Sequence, residues 1–342
     1  MRDDLILLGH GSGGTLGHEL LRDLFLRHFR DPVLACLEDA SDIALADERG
    51  LGGQAVLTTD SYVVKPRFFP GGDIGRLAVC GTVNDLAMRG ARPIYLTVGF
   101  ILEEGLPLHE LERVVRSMAE TAQEAGARIV AGDTKVVERG SADGLFINTA
   151  GVGLVPPGIR VSVSLAQPGD VILVSGAVGD HGLTIMTQRE GLQFAGSLQS
   201  DCAPLNGLVE ALLERVGPAL HVLRDPTRGG LATTLCEIAE QSHVGMVVDE
   251  LAIPIHDAVR AASELLGLDP LYVANEGKLV AIVAAPHAEA ALEALRAHPL
   301  GREAAIIGRV VAEHRGTVAL RTLLGTHRVL DMLAGEQLPR IC

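Results

Sequence analysis

The chain has 342 residues, is 47% hydrophobic and 21% charged, contains 40 glycines and no tryptophan, and carries a formal net charge of −14. That length exceeds what one core usually holds, so two domains are expected, and the composition suits a soluble enzyme of mixed helix and strand rather than a disordered chain. The acidic balance argues against nucleic acid and anionic membranes as main partners. It leaves room for a nucleotide, because a metal ion reverses the sign of a local site.

Leu5–Leu8 is a short apolar run ending in Gly9-His10-Gly11-Ser12-Gly13-Gly14, after which a helix is expected to about Arg30. Strands are expected at Ile43–Ala46 and Ala55–Thr59. Helical spacing follows from an Asp73 N-cap through Ile74, Leu77, Ala78 and Val83 to Met88, and Gly90 stops it. A strand at Ile94–Ile101, an amphipathic helix at Leu108–Ala125, and strands at Arg128–Ala131 and Phe146–Leu154 complete the first half. Pro156-Pro157-Gly158 marks a boundary, giving domains 1–157 and 158–330 and a mobile tail 331–342.

In the second half, strands are expected at Val171–Ser175, His221–Leu223, Gly245–Val248, Leu279–Ala284, Ala305–Val310 and Thr317–Leu320. Helices are expected at His181–Glu190, Leu205–Arg215, Gly230–Ser242, Asp257–Leu266 and Ala288–Ala297. Strands without a regular one-to-one helix crossover indicate an α+β fold. No apolar run is long enough to span a bilayer, and Met1-Arg2-Asp3-Asp4 does not open a signal peptide. Five cysteines with no C-x-x-C pair point to reduced thiols in a cytoplasmic protein and away from zinc. Cys342 ends the chain, and a fully extended tail from Asp331 would carry its thiol roughly 40 Å. It is not a prenylation signal, which places cysteine fourth from the end.

The early glycine loop fits G-x-G-x-x-G, and Glu38 or Asp39 lies near the acidic position of a dinucleotide fold. Against that reading, Asp39-Ala40-Ser41-Asp42 runs into further acids rather than closing a βαβ unit. No Lys-Ser/Thr pair closes the loop as a Walker A, and His10 breaks the nucleophile-elbow pattern. What remains is either a plain surface loop or a set of backbone N–H groups able to wrap an anion.

Acids recur where strands are expected to end. Asp60 and Asp133 each follow a strand, Asp85 sits in a helix one turn after Gly81, and Asp39 opens the strand region. Singly, each also suits a turn or a cap. Together they make a hard oxygen site suited to Mg²⁺, and with the glycine loop they suggest metal-bridged ATP. Asp225-Pro226-Thr227-Arg228-Gly229-Gly230 opens a helix, where N–H groups favour an anion and Arg228 could grip a phosphoryl group. In Asn275-Glu276-Gly277-Lys278, Glu276 reads as a solvated turn acid or as a general base.

The chain resembles the HypE family of hydrogenase maturation factors, within the PurM-like superfamily of ATP-dependent enzymes. The resemblance rests on His10-Gly11-Ser12-Gly13-Gly14, Thr59-Asp60-Ser61-Tyr62-Val63-Val64 and Phe68-Phe69-Pro70-Gly71-Gly72-Asp73-Ile74-Gly75. It continues through Cys80-Gly81-Thr82-Val83-Asn84-Asp85, Gly132-Asp133-Thr134-Lys135-Val136-Val137 and Arg224-Asp225-Pro226-Thr227-Arg228-Gly229-Gly230. Ala274-Asn275-Glu276-Gly277-Lys278 and the ending Pro339-Arg340-Ile341-Cys342 complete it.

The resemblance implies two AIR synthetase-like α+β domains, the first dimerising through its sheet into a homodimer. It implies ATP and Mg²⁺, with Asp39, Asp60, Asp85 and Asp133 as metal ligands. Glu38 and Asp42 compete with Asp39. The nucleotide would be bound by Gly11, Ser12, Gly13, Gly14, Asp60, Ser61, Gly72, Asn84, Asp133 and Arg228. The implied reaction dehydrates a carboxamide on the Cys342 sulfur to a thiocyanate, whose cyanide goes to the iron of a NiFe hydrogenase. A carbamoyltransferase, HypF, would load the thiol, and a HypC–HypD complex would accept the cyanide. Glu276 would be the base, assisted by Lys135. The thiol carries its own α-carboxylate, which should raise its pKa, so the loading partner or Arg340 is expected to help activate it.

Aminoimidazole ribonucleotide synthetase, thiamine phosphate kinase and selenophosphate synthetase share the superfamily, and none of them needs a terminal cysteine. A scaffold whose tail is a recognition peptide would be told apart by lack of ATP hydrolysis, and a dehydrogenase by nicotinamide binding.

Overall fold

A computed structural model describes residues 14–20, 22, 36–38, 40–46, 52–192, 198–333 and 340–342. Gly11, Ser12, Gly13 and Asp39 lie outside the described residues. Helix α1 (Thr15–Leu20) is followed by strands β1 (Ser41–Ala46) and β2 (Gly52–Tyr62), and by a small hairpin of β3 (Phe68–Phe69) and β4 (Gly72–Asp73). Helix α2 (Ile74–Met88), strand β5 (Arg92–Glu103), helix α3 (Leu108–Glu124) and strands β6 (Arg128–Val137) and β7 (Leu145–Val155) complete the first half. Its sheet has the order β1-β2-β7-β5-β6, antiparallel except where β5 and β6 run parallel on either side of α3.

The side chain of Asp73 starts α2 by accepting from the N–H groups of Gly75 and Arg76 at 2.8 and 3.0 Å. Nearly every residue of α2 is buried, as expected of a helix that is apolar all round and held between two layers. A Cβ at Gly75 would lie 2.4 Å from the Val114 carbonyl, so glycine is what lets α2 and α3 touch.

The second half comprises β8 (Val171–Val174), α4 (Asp180–Arg189), α5 (Asn206–Val216), β9 (Leu220–Arg224), α6 (Gly230–Gln241) and β10 (Gly245–Asp249). It continues with α7 (Asp257–Leu266), β11 (Val280–Val283), α8 (Ala288–Ala297), β12 (Ala305–Val311), β13 (Val318–Arg321) and β14 (His327–Leu330). Its sheet has the order β14-β13-β10-β12-β8-β11-β9. The two halves form an α+β molecule with separate sheets, and their cores meet where Ile185, Cys202 and Ala274 join the first-half cluster and Ala87 and Met88 join a second-half one.

Helices α7 and α8 keep the bounds expected from their periodicity. Strands β2 and β6 run further than expected, so Asp60 and Asp133 lie inside strands rather than after them. The reason is pairing: β7 continues the β2 ladder through Asp60, Ser61 and Tyr62, and β5 continues the β6 ladder through Val137. Strand β14 was not foreseen; its four residues show no alternation, and they extend because they pair with β13.

Candidate active site

Residues from three distant parts of the chain meet beside the inner face of the first sheet. Asp60 and Tyr62 project from β2, and the Tyr62 hydroxyl donates to Asp60 at 3.1 Å. A Cβ at Gly81 would come within 2.2 Å of that hydroxyl, so the glycine in α2 makes room for it. One turn further along α2, Asp85 accepts from the Thr58 hydroxyl at 2.7 Å. Burial raises the pKa of Asp60, and neighbouring Arg228 and the Tyr62 hydrogen bond oppose that rise.

Arg228 and Glu276 come from the second half. The Asn275 side chain donates to the carbonyls of Pro226 and Val273 at 2.9 and 3.1 Å and accepts from Gly179 N–H at 2.7 Å, tying the Glu276 loop to the Arg228 loop. Buried Asp201 accepts from the N–H groups of Glu276 and Gly277 at 3.1 and 3.3 Å and from Lys278 Nζ at 3.2 Å. Glu276 is therefore not a solvated turn acid: it is 4% exposed, and its buried Oε1 has no hydrogen-bond partner among the described residues. Burial pushes its pKa well above the usual range, and Cys202, Asp225, Asp201 and Asp60 add to the rise. Burial also pushes Asp225 up to about 6, against the pull of Arg224.

The end of the tail completes the group. Val63 N–H donates to a carboxylate oxygen of Cys342 at 3.0 Å and Lys65 N–H to the Arg340 carbonyl at 3.3 Å, so residues 340–342 lie alongside the segment that leaves β2. Ile341 is buried in the first-half core, and His181 Nε2 lies 2.8 Å from its carbonyl. Arg340, expected to activate the thiol, instead pairs with Asp143 at 2.6 Å and donates to the Val63 carbonyl at 2.9 Å, while Arg189 donates to the Arg340 carbonyl. The cation beside Cys342 is Arg228, whose Nη1 lies 3.8 Å from the sulfur. Arg228 is held protonated by Cys342 first, against burial, and then by Asp60, Glu276 and Asp85. The thiol is pushed up to about 11 by burial and by Glu276 and Asp60, with Arg228 opposing. Residues 340–342, the end of the expected tail, are thus docked against their own chain.

Other expected residues lie elsewhere. Asp133 pairs in register with Gly99, Gly99 with Asn148 and Asn148 with Ser61, three strand spacings or about 14 Å across the sheet from β2. Ser61 accepts from Asn148 Nδ2 at 3.0 Å on the outer face. Asp133 is ion-paired to Lys135 at 2.7 Å, and both side chains are 70% exposed. Within one chain, Lys135 therefore does not reach Glu276, and Asp133 does not join Asp60 and Asp85. Among the described residues no three acidic, histidine or cysteine side chains gather as a metal site. Asn84 is buried, donates to the Ala203 and Glu276 carbonyls at 3.1 and 3.3 Å and accepts from Leu205 N–H at 2.8 Å, which makes it a strut between the halves. Glu38 is paired with Arg89 at 2.9 Å. Gly72 packs on the Phe69 ring, and a Cβ on Gly14 would meet the Leu333 carbonyl at the base of the tail.

Sequence reasoning passed over Tyr62, Asp143, His181, Arg189 and Asp201. The close approach required of Gly81 was a usable signal for Tyr62. The others are recruited by contacts between residues far apart in the chain.

Comparison with known proteins decides the family. The AIR synthase related protein N-terminal domain matches residues 38–155, and the corresponding C-terminal domain matches residues 167–321. The chain is 56% identical over 342 residues to the carbamoyl dehydratase HypE of Azotobacter vinelandii, covering 100% of this chain and 98% of that one. The chain belongs to the HypE carbamoyl dehydratase family. A HypE crystal structure in complex with ATP matches at a TM-score of 0.82 and 55% identity, covering 99% of this chain and 100% of that one. A HypE–HypF complex matches at a TM-score of 0.86 and 49% identity, covering 92% and 99%.

Proposed function

We propose that the chain is an ATP-dependent carbamoyl dehydratase that converts a carboxamide on Cys342 into a thiocyanate and supplies the cyanide ligand of a NiFe hydrogenase. The observation that carries this reading is the docked Cys342 thiol beside Arg228, within the electrostatic influence of the buried Glu276 carboxyl, whose Oε1 has no partner among the described residues.

Dehydrating an amide requires its oxygen to leave and its two nitrogen protons to be taken up. ATP, when bound, supplies the phosphoryl group that turns the oxygen into a leaving group. Glu276, as the carboxylate, accepts one of the two protons, and the other would leave with the departing phosphate; burial among other acids makes that carboxylate a stronger base than an exposed one. Arg228 offsets negative charge at the thiol end, and the tether makes the step effectively intramolecular. Asp60 and Asp85 both act on the charge of Arg228, and carboxyl oxygens of this kind are the ligands that Mg²⁺ takes together with phosphate oxygens. Asp60 and Asp85 would hold the metal, with Tyr62 orienting Asp60.

The outer face of the first sheet supports a homodimer. Leu57, Tyr95, Ile101 and Leu154 are exposed there beside Asp133 and Lys135. A second copy laid on this face would cover the apolar surface and bring Asp133 and Lys135 to an intersubunit nucleotide site. We assign residues 1–157 and 158–330 as domains and 331–342 as the carrier tail. HypF is the loading partner and a HypC–HypD complex the cyanide acceptor, in the cytoplasm. None of the five cysteines is in a disulfide, consistent with a reducing compartment. Among the described residues no helix is long and apolar enough to cross a membrane.

The test is intact mass. Protein carbamoylated on Cys342 should lose the mass of one water on adding Mg-ATP, and Cys342→Ser should yield no such product while still binding ATP. An unchanged mass under turnover conditions would sink the proposal.

A further inference from the structure

His181 is the second residue of α4 and is completely buried. Its ring is boxed by Phe69 in an edge-on contact, with centroids 5.6 Å apart. Nδ1 lies 2.7 Å from Ser200 Oγ and Nε2 lies 2.8 Å from the Ile341 carbonyl. The Ile341 carbonyl can only accept, so Nε2 carries a proton, and in the neutral ring Nδ1 accepts from Ser200 Oγ, which itself accepts from Cys202 N–H at 3.1 Å. The imidazole is then neutral with its proton on Nε2, the tautomer that donates to Ile341. Burial lowers the His181 pKa, which favours that neutral form.

A buried imidazole is unfavourable unless both nitrogens are satisfied, and an apolar side chain would fill the same space without that demand. The Nε2 partner here is the residue that precedes Cys342. Ser200, which holds the other nitrogen, is followed by Asp201, which holds the backbone of Glu276 and Gly277. One short segment therefore contacts both the imidazole that grips the tail and the loop that carries the base.

We propose that His181 is a positioning residue: it latches the docked tail through the Ile341 carbonyl, and Ser200-Asp201 holds the latch and Glu276 in one frame. The role in dehydration rests on Cys342 being the substrate carrier, but the latch itself does not.

The experiment compares full-length native protein with His181→Ala and His181→Gln. The rate at which a small neutral alkylating reagent modifies Cys342 is followed by intact mass without nucleotide, alongside thermal unfolding. Loss of one buried hydrogen bond should speed alkylation about fivefold to tenfold in His181→Ala. The Gln amide can donate where Nε2 does, so His181→Gln should stay within about twofold of native. Single-turnover dehydration of the carbamoylated protein should slow in His181→Ala and recover in His181→Gln. Equal alkylation of His181→Ala and native protein, both folded, would overturn the latch. Should His181→Ala fail to fold, the native chain is compared by NMR with one ending at residue 339. The His181 resonances should titrate closer to the ordinary histidine range once residues 340–342 are gone, and identical titration would overturn the latch. If the alkylation difference appears but the native enzyme makes no thiocyanate, the latch stands and the functional reading falls.

Discussion

On the inner face of the first sheet, Asp60 and Tyr62 sit with Asp85, Arg228, Glu276 and the docked Cys342, all brought together within one chain. On the outer face, Ser61, Asn148, Asp133 and Lys135 meet solvent beside exposed Leu57, Tyr95 and Ile101. Both faces belong to the same strands, and adjacent residues of β2 divide between them because strand side chains alternate. The inner face is covered by the chain's own helices and tail, so its charges are desolvated and their proton affinities displaced. The outer face keeps its acid–base pair in water, where an ion pair contributes little to stability. Chemistry that needs a strong base belongs on the first face, and association belongs on the second.

Charging the outer face tests that division most severely. Leu57→Glu with Tyr95→Glu places two acids on residues that flank Val152 in adjacent ladders, and should give a folded monomer without ATP-dependent dehydration. Sedimentation and intact mass check the two halves of that expectation. A dimer with full turnover would show that the second copy sits elsewhere.

Glu276→Gln probes the inner face. It should lower the dehydration rate by about 10²–10⁴, the usual contribution of a positioned base, while the tail remains docked. Single-turnover kinetics at saturating ATP would show it, and near-native rates would move the base to another residue.

Arg228→Met removes the cation beside the sulfur. Because an adjacent positive charge favours the thiolate, the pKa of the docked Cys342, followed by thiolate absorbance, should rise. An unchanged titration with the tail still docked would mean that Arg228 does not tune the thiol.

The gentlest probe is pH. The docked thiol has its pKa raised from 9.0 to about 11, so the docked state holds its proton where a released tail has lost it. Docking is therefore unaffected below pH 9 and weakens as pH rises from 9 towards 11. Tail release followed by NMR should show that window, and Cys342→Ser should remove it.

Much of the fold was legible in local pattern. Asp257–Leu266 and Ala288–Ala297 carry a helical period and have usable ends, so their bounds agree with the structure. The capping carboxylate of Asp73 announced α2. Strand ends were less legible, because β2 and β6 stop where their partners stop, and partners are far away in sequence. The site divided in the same way. Asp60, Asp85, Arg228, Glu276 and Cys342 stood out as residue types in suggestive positions. That Asp133 and Lys135 face away from them depends on strand alternation and sheet order.

By itself the sequence determined the α+β class, the order of motifs and a chain ending in a thiol, since these depend on residue type and near-neighbour spacing. Only the tertiary structure decided that Glu276 is buried with one oxygen lacking a partner among the described residues, that Arg228 rather than Arg340 stands beside the sulfur, and that His181 meets the Ile341 carbonyl. Those are properties of desolvation and of hydrogen bonds between residues more than a hundred positions apart, and neither is encoded in any local stretch.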